Sequence, residues 1–156
     1  MKIESDFLVI GSGIAGLYFA LQASGHGRVA LITKRDIAES ATNYAQGGIA
    51  SVFSQEDTFA AHITDTLTAG AGICHEDVVR TVVEEGPQVI RNLIEWGVKF
   101  TTRGDTYDLT REGGHSKRRI LHSDDATGRE IERALVEAAR ENPTSTSTSI
   151  TSPSTF

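Results

Sequence analysis

The chain has 156 residues, 38% of them hydrophobic and 23% charged, which is typical of a soluble globular domain with an apolar core. Its formal net charge of −6 argues against nucleic acid as a partner. No apolar run reaches membrane-spanning length, and the N-terminus leads into a predicted strand rather than a signal peptide, so we expect no membrane contact and a cytoplasmic location. Cys74 is the only cysteine, which excludes a disulfide framework and a cysteine-based metal site.

The first predicted elements form a β-α-β unit around a glycine motif. The apolar run Phe7–Ile10 predicts a strand buried on both faces of a parallel sheet. A helix over about Ala15–Ala23 and a second strand over Val29–Ile32 complete a unit of the length expected for nucleotide binding. Between the first strand and the helix lies a G-x-G-x-x-G motif, whose residues are the first candidate cofactor contacts: Gly11, Ser12, Gly13, Ile14, Ala15 and Gly16.

Each glycine of this motif has a physical role. Gly11 permits the tight turn out of the strand, Gly13 lets the backbone approach a pyrophosphate, and Gly16 lets the helix lie close to the sheet. The N-terminal amides of the helix then point at the phosphates. The alternative is a glycine-rich turn that binds no ligand.

The second strand ends at a lysine where an NAD-binding unit usually has an acid. Lys34 occupies the position at which a carboxylate would hold the ribose hydroxyls, and the nearest acids, Asp36 and Glu39, come later in the turn. This departure makes a plain NAD dehydrogenase less favoured and leaves a phosphorylated ribose, as in NADP, as one alternative.

A polar loop follows, with neither helical nor strand periodicity between Ser40 and Ala50. Its Gly47-Gly48 pair permits close backbone approaches that other residues cannot make. Polar groups of the loop could hydrogen-bond to something flat and polar, and the alternative is a mobile loop. The residues that we group as the cofactor loop are Ala41, Thr42, Asn43, Tyr44, Ala45, Gln46, Gly47 and Gly48.

The middle of the chain predicts helices that serve packing rather than chemistry. Their expected ranges are Thr58–Ala69, Glu76–Glu85 with four inward valines (Val78, Val79, Val82 and Val83), Pro87–Trp96 between a break at Gly86 and a stop at Gly97, and Thr127–Arg140. We expect His62 to be a surface or hydrogen-bonded histidine, Trp96 to be a core anchor, and Val98–Phe100 to form a short strand before a turn at 103–105.

A second candidate site lies in the charged segment after this turn. Glu112 and His115 flank a Gly-Gly pair and could enter a cleft as a general acid, a base or a substrate anchor. The alternative is an exposed charged hairpin, and we predict no metal site because no third ligand lies at useful spacing. The adjacent Lys117-Arg118-Arg119 indicates a solvated face or an anion contact.

The end of the chain is almost entirely serine and threonine. From Thr144 to Thr155 only Ile150 and Pro153 differ, so disorder is the default prediction, with a short edge strand as the alternative. The predicted organisation is an α/β region over 1–142 and a Ser/Thr-rich tail over 143–156.

Several motifs in unbroken order resemble the flavoprotein family of succinate dehydrogenase and fumarate reductase, and most of all its L-aspartate oxidase branch. They are the glycine motif, Thr33-Lys34, Ala45-Gln46-Gly47-Gly48-Ile49, Asp65–Gly72, Thr110–Ser116 and Asp125–Glu130. The resemblance covers about 140 residues. It implies a Rossmann-like FAD-binding domain with a parallel sheet and a helical insertion, of which residues 1–142 would be the N-terminal part.

The resemblance also implies the cofactor and how it is held. The cofactor would be FAD, contacted by the glycine motif, by Lys34, which is normal in this family, and by the cofactor loop. Succinate and fumarate enzymes carry a histidine, covalently joined to the flavin, at the position of Ala41. Because alanine cannot form that bond, we expect non-covalent FAD.

The activity implied is FAD-dependent oxidation of L-aspartate to iminoaspartate, with oxygen or fumarate as the acceptor, in the quinolinate branch of NAD biosynthesis. Glu112 would pair with the α-ammonium group of aspartate, which succinate lacks. A quinolinate synthase is a further implied partner. The alternatives are a fumarate reductase or succinate dehydrogenase subunit and a non-catalytic FAD-binding or nucleotide-binding module. We expect this chain to be an N-terminal fragment that does not turn over alone.

Overall fold

The computed structural model describes residues 4–142 and 145–149. These residues divide into two compact units. The first comprises 4–46, 96–98, 128–142 and 145–149, and the second comprises 47–95 and 99–127. Among the described residues, no helix combines the length and the apolarity that crossing a membrane requires.

The predicted β-α-β unit and the predicted helices near residues 60 and 130 are confirmed. The elements in chain order are β1 (Phe7–Ile10), α1 (Ile14–Ala23), β2 (Val29–Thr33), a 3-10 turn (Thr42–Tyr44), β3 (Ile49–Ala50), α2 (Phe59–Ala69), α3 (Glu76–Glu95), β4 (Thr102–Arg103), β5 (Thr106–Tyr107), β6 (Ile120–Leu121), α4 (Thr127–Glu141) and β7 (Ser145–Ser149).

The first unit contains a parallel sheet of order β1-β2-β7, which confirms the predicted α/β class. β1 pairs with β2 in the register Phe7 to Val29, and β2 pairs with β7 in the register Val29 to Ser145. Over Ser145–Ser149 the structure therefore shows the edge strand rather than disorder. The remainder of the predicted tail, 143–144 and 150–156, lies outside the described residues.

The prediction that β1 is buried on both faces is wrong for the described residues. Val9 is buried, but Leu8 is 60% exposed and Ile10 is 79% exposed. Alternate side chains of a strand point to opposite faces, and helix α1 covers the face that carries Val9. The apolar run therefore predicted the strand correctly, but it did not predict that one face of the strand is exposed.

Helix α1 lies very close to the glycine turn at Gly16. A Cβ at Gly16 would collide with the carbonyl oxygen of Gly11 and would lie 3.5 Å from a methyl group of Val9. Gly11 itself has φ +103°, a conformation that L-residues with side chains rarely adopt. The two glycines thus have the roles that the motif predicts, a turn and a close approach.

In the second unit, α3 is a single helix, so the predicted break at Gly86-Pro87 is wrong. Pro87 lacks the N–H that would bond one turn back, yet it lies on the buried stripe of the helix with Val83, Ile90 and Leu93. Burial of this continuous stripe offsets the lost hydrogen bond. At Gly86, a Cβ would lie only 3.2 Å from the hydroxyl of Ser51, so a glycine allows that segment to lie close.

The predicted inward set of valines on α3 is only partly correct. Val83 is buried and Val79 is half-buried, whereas Val78 and Val82 are exposed. The stripe that α3 buries follows the spacing of Val83, Pro87 and Ile90, and this places Val78 and Val82 outside it.

Two short antiparallel pairs complete the second unit, β3 with β6 and β4 with β5. The predicted strand at Val98–Phe100 is wrong, because pairing begins at Thr102, where the turn at Gly104 (φ +63°) sets the register of β4 and β5. Phe100 is buried and packs edge-on against Tyr107. It is thus a core residue outside a strand.

Gly16→Ala should lower the free energy of unfolding by about 1–3 kcal/mol, because the new methyl group meets backbone rather than a movable side chain. Thermal unfolding followed by circular dichroism measures the effect. Gly25→Ala is the matched control, since its methyl group would make only an ordinary contact of 3.6 Å with the carbonyl of Gln22. Equal melting temperatures for the two variants would contradict the close approach at Gly16.

Candidate functional site

A cleft of about 470 Å³ opens at the carboxyl ends of β1 and β2. In parallel α/β sheets this edge is where ligands bind. Four predicted cofactor contacts, Gly11, Ser12, Lys34 and Ala41, lie in its wall. The full lining is Ile10, Gly11, Ser12, Ile32, Thr33, Lys34, Glu39, Ser40 and Ala41.

The glycine turn presents backbone donors at the start of α1. Among the described residues, the N–H groups of Ala15 and Gly16 have no hydrogen-bond acceptor, as expected in the first turn of a helix. Ser12 is buried, and its hydroxyl lies 3.3 Å from that of Thr33. Free amides at the positive end of a helix dipole are suited to a pyrophosphate.

The cofactor loop meets the glycine motif through Thr42. Its Oγ1 accepts a hydrogen bond of 3.0 Å from the N–H of Ile14 and would lie 3.4 Å from a Cβ at Gly13. The 3-10 turn Thr42–Tyr44 therefore fixes the loop against the N-terminus of α1.

Two other predicted contacts in this turn do not line the cleft. The ring of Tyr44 is exposed and its hydroxyl donates to Glu39 at 2.8 Å, while Asn43 lines a different cavity beside α4. Glu39 does line the cleft, where its Oε1 accepts this hydrogen bond and lies 3.8 Å from Nη1 of Arg35. The sequence does not predict a role for Glu39, because it lies five residues beyond the position at which a nucleotide-binding acid is usual.

Helix α4 packs against the cofactor loop. The N–H of Gly128 donates to the carbonyl of Ala45 at 3.0 Å. A Cβ at Gly128 would collide with the carbonyl of Thr42 and would lie 2.7 Å from Cβ of Ala45. Only glycine at this position allows the helix to lie directly against the loop.

In the second unit, the end of the cofactor loop lies beside Glu112. Gly48 packs so closely on β6 that a Cβ there would collide with the backbone of Leu121. Next to it, a Cβ at Gly47 would lie 3.9 Å from Oε1 of Glu112. The carboxylate of Glu112 is exposed, so it is free to meet a ligand.

The segment that carries Glu112 is anchored by a buried arginine, so the expectation of a solvated face is wrong for Arg119, whereas Lys117 and Arg118 are exposed. Arg119 is fully buried and forms two 2.8 Å hydrogen bonds, from Nε and Nη2, to the carboxylate of Asp57. Its Nη1 donates to Asp65 at 2.6 Å. The sequence did not predict these ion pairs, because both acids lie more than 50 positions before Arg119.

Asp65 connects this arginine to the turn at Glu112. One carboxylate oxygen of Asp65 accepts hydrogen bonds from the backbone N–H of Ser116 at 2.7 Å and from its hydroxyl at 2.8 Å, besides that from Arg119. The turn then closes where the N–H of His115 donates to the carbonyl of Glu112 at 3.3 Å. The position of Glu112 thus depends on two acids and one arginine outside the turn.

Two histidines lie against this network. His62 is buried and its Nδ1 has no partner among the described residues, so the prediction of a surface or hydrogen-bonded histidine is wrong. Desolvation, reinforced by Arg119 and His115, lowers the pKa of His62. Nδ1 of His115 lies 3.3 Å from Nη1 of Arg119, which donates a hydrogen bond to it in the tautomer that leaves Nδ1 without a proton. Within the described part of the chain, no group of His, Cys, Asp or Glu is arranged to hold a metal ion.

A family model described as FAD binding domain matches residues 6–151. The chain belongs to this FAD-binding domain family.

Curated relatives of this FAD-binding domain are L-aspartate oxidases. The chain is 55% identical over 139 residues to L-aspartate oxidase 2-b, chloroplastic, of Nicotiana tabacum, covering 88% of this chain and 22% of that protein. It is 48% identical over 146 residues to the L-aspartate oxidase of Vibrio cholerae, covering 90% of this chain and 27% of that protein. The chain thus spans about a quarter of the length of these relatives.

Among solved structures, the E. coli quinol fumarate reductase FrdA matches with a TM-score of 0.87 and 31% identity, over 94% of this chain and 26% of that chain. The match confirms the predicted resemblance to the succinate dehydrogenase and fumarate reductase flavoproteins.

The cofactor of this FAD-binding domain fits the residues present. The donor-bearing glycine turn suits the pyrophosphate, Lys34 and Glu39 flank the cleft with opposite charges, and Ala41 lines it without a nucleophilic side chain. FAD would be held there without a covalent bond at position 41. We keep the individual FAD contacts, including those along the cofactor loop, as predictions.

Asp65→Asn should destabilise the domain at neutral pH and lose its effect in acid. Desolvation raises the pKa of Asp65, but the hydrogen bonds from Ser116 and Arg119 outweigh it and lower the pKa to about 2. A carboxyl with a depressed pKa stabilises the fold above its unfolded pKa, and this contribution, on the order of 2 kcal/mol, disappears as the pH falls from about 4 to about 2. Urea unfolding of both proteins along a pH series measures the difference.

Asp105→Asn is the control, because Asp105 is an exposed residue of the β4–β5 turn. It should show almost no difference from the parent at any pH. A destabilisation by Asp65→Asn that stays constant into acid would contradict the charged hydrogen-bond network.

Proposed function

We propose that this chain acts in the FAD-dependent oxidation of L-aspartate to iminoaspartate. Support comes from the 55% and 48% identity to L-aspartate oxidases of a plant and a bacterium. The chain would contribute the FAD cleft and one substrate-binding group, Glu112.

The observation that carries this proposal is the position of Glu112 beside Gly47. The cofactor loop continues from Ala41 in the cleft wall to Gly47, and the Glu112 carboxylate lies next to that glycine. A substrate bound beside Gly47 would therefore meet a negative charge.

A carboxylate at this point favours an amino acid over a plain dicarboxylate. The α-ammonium group of L-aspartate can donate a charge-assisted hydrogen bond to Glu112, whereas succinate leaves that carboxylate unpaired and close to its own negative charges. Bound FAD supplies the acceptor for the hydride equivalent that leaves Cα. Glu112 binds and orients the substrate, and the Arg119–Asp65–Ser116 contacts hold it in place.

A fumarate reductase or succinate dehydrogenase subunit is the second candidate, favoured by the TM-score of 0.87 to the E. coli FrdA structure. Two residues weigh against it. Ala41 stands where those enzymes would carry the flavin-linked histidine, and Glu112 repels a substrate that has only negative charges.

The wider setting of the reaction follows from its product. Iminoaspartate would pass to a quinolinate synthase in NAD biosynthesis, and this enzyme would be a partner of the chain.

We propose a cytoplasmic location, which fractionation of the host cell would test. The plant relatives are named as chloroplastic, so location varies within this group of enzymes.

A chimera tests the proposed substrate: the 146 matched residues of the Vibrio cholerae L-aspartate oxidase are replaced by those of this chain. The chimera should oxidise L-aspartate when loaded with FAD. Glu112→Gln should raise the KM for L-aspartate at least about tenfold, the cost of a charge-assisted hydrogen bond, and should not weaken inhibition by succinate, which is relieved of a repulsive charge.

Glu84→Gln, an exposed change on α3, is the matched control and should leave both constants as they are. Equal weakening of L-aspartate and succinate by Glu112→Gln would remove the ammonium contact. A chimera that reduces fumarate but does not oxidise L-aspartate would favour the second candidate.

A further inference from the structure

Helix α4 carries a buried carboxyl group, that of Glu132. Glu132 is 1% exposed, and neither of its carboxyl oxygens has a hydrogen-bond partner among the described residues. Isolated buried carboxylates are costly, so a group in this position needs either a proton or a partner. The packing role expected for α4 does not account for it.

The polar side chain that interacts with Glu132 is the hydroxyl of Ser40, directly before the cofactor loop. The Ser40 Oγ is also buried without a partner. It lies close enough to Glu132 to favour the charged form, but it falls short of hydrogen-bond geometry. Two unpartnered polar groups thus face each other between α4 and the loop.

Ser40 controls the geometry of the cofactor loop. Its carbonyl accepts the N–H of Asn43 at 3.2 Å, which forms the turn that holds Thr42. Thr42 in turn accepts the N–H of Ile14 at the glycine motif. A shift at Ser40 would therefore reach both the wall of the cleft at Ala41 and the start of α1.

Glu132 lies on the face of α4 that already supports the loop. Residues four apart on a helix share a face, and Gly128 bonds Ala45 one turn before Glu132. The helix therefore faces this part of the chain with two successive turns, Gly128 against Ala45 and Glu132 against Ser40.

No charged neighbour neutralises Glu132 among the described residues. The charged groups that line the cavity around it are Arg129, Arg133, Glu137, Arg140 and Glu141. None forms an ion pair with Glu132, and Arg133 is engaged by Glu130 and Glu137. Desolvation accordingly raises the pKa of Glu132.

We propose that Glu132 is a positioning residue of the FAD site, which in its uncharged form holds the cofactor loop through the hydroxyl of Ser40. A protonated carboxyl that rotates toward Ser40 into hydrogen-bond geometry donates to its Oγ without placing a bare charge in the core. Glu132 does not contact the cofactor. It determines where Ala41 and Thr42 stand when FAD enters the cleft.

Amide hydrogen exchange in the ligand-free chain is the first test. Glu132→Ala should speed exchange of residues 42–46 at least about tenfold, the cost of one lost hydrogen bond, and Ser40→Ala should do the same. The double variant should be no faster than either single one, because both remove one interaction. Glu132→Gln, which keeps a neutral donor, should exchange like the parent.

FAD affinity, measured from the quenching of flavin fluorescence, is the second test. The parent should bind FAD more weakly as the pH is raised well above the ordinary pKa of a glutamate, because a buried glutamate with a raised pKa loses its contribution on ionisation. Glu132→Gln should bind like the parent in acid and show no such pH dependence. Glu141→Gln, an exposed change on the same helix, should follow the parent at every pH.

Three results would overturn the proposal. One is exchange in Glu132→Gln as fast as in Glu132→Ala, which would mean a packing role only. Another is additive effects of the Ser40 and Glu132 changes. The third is an exchange rate of residues 42–46 that is the same in the parent and in every variant. This result would overturn the proposal without any measurement on FAD.

Discussion

The first unit depends on a backbone contact that leaves no room for a side chain. Helix α1 lies against the carbonyl of Gly11 at Gly16, and this approach aims the free amides of the first helical turn at the cleft. The cofactor loop is then held from two sides, by Ile14 at Thr42 and by Gly128 of α4 at Ala45. The FAD site is thus built from close backbone packing at glycines more than from charged side chains.

The second unit uses a different principle, a buried charge network. The guanidinium of Arg119 is shared by Asp57 and Asp65, and Asp65 also holds the turn that presents Glu112. Removing one member of such a network leaves an uncompensated buried charge, which is far costlier than losing a surface ion pair. The network therefore supplies a rigid base for the exposed carboxylate of Glu112, as the substrate contact proposed for it requires.

The local parts of this fold could be predicted from sequence, and the long-range parts could not. The glycine spacing and the apolar runs predicted β1, α1 and β2 almost to the residue, because those signals are local. Pro87 misled the prediction because a local helix breaker is overridden by the burial of its stripe in α3.

The candidate site shows the same division. Glu112 and Ala41 could be chosen from motifs, whereas Arg119 looked like a surface cation because its partners are distant in sequence. Glu132 gave no signal at all, since its position on α4 matches an ordinary helical pattern. Charge burial is a property of the packed chain and is not visible in any window of the sequence.

The central claim is that this chain's own residues form a non-covalent FAD site. The most direct test is to mix the purified chain with FAD, desalt it, and record the visible spectrum and the flavin fluorescence. The account predicts a retained flavin with quenched fluorescence that denaturant releases completely. A chain that is folded by circular dichroism but colourless, or a flavin that stays attached to the denatured chain, would contradict it.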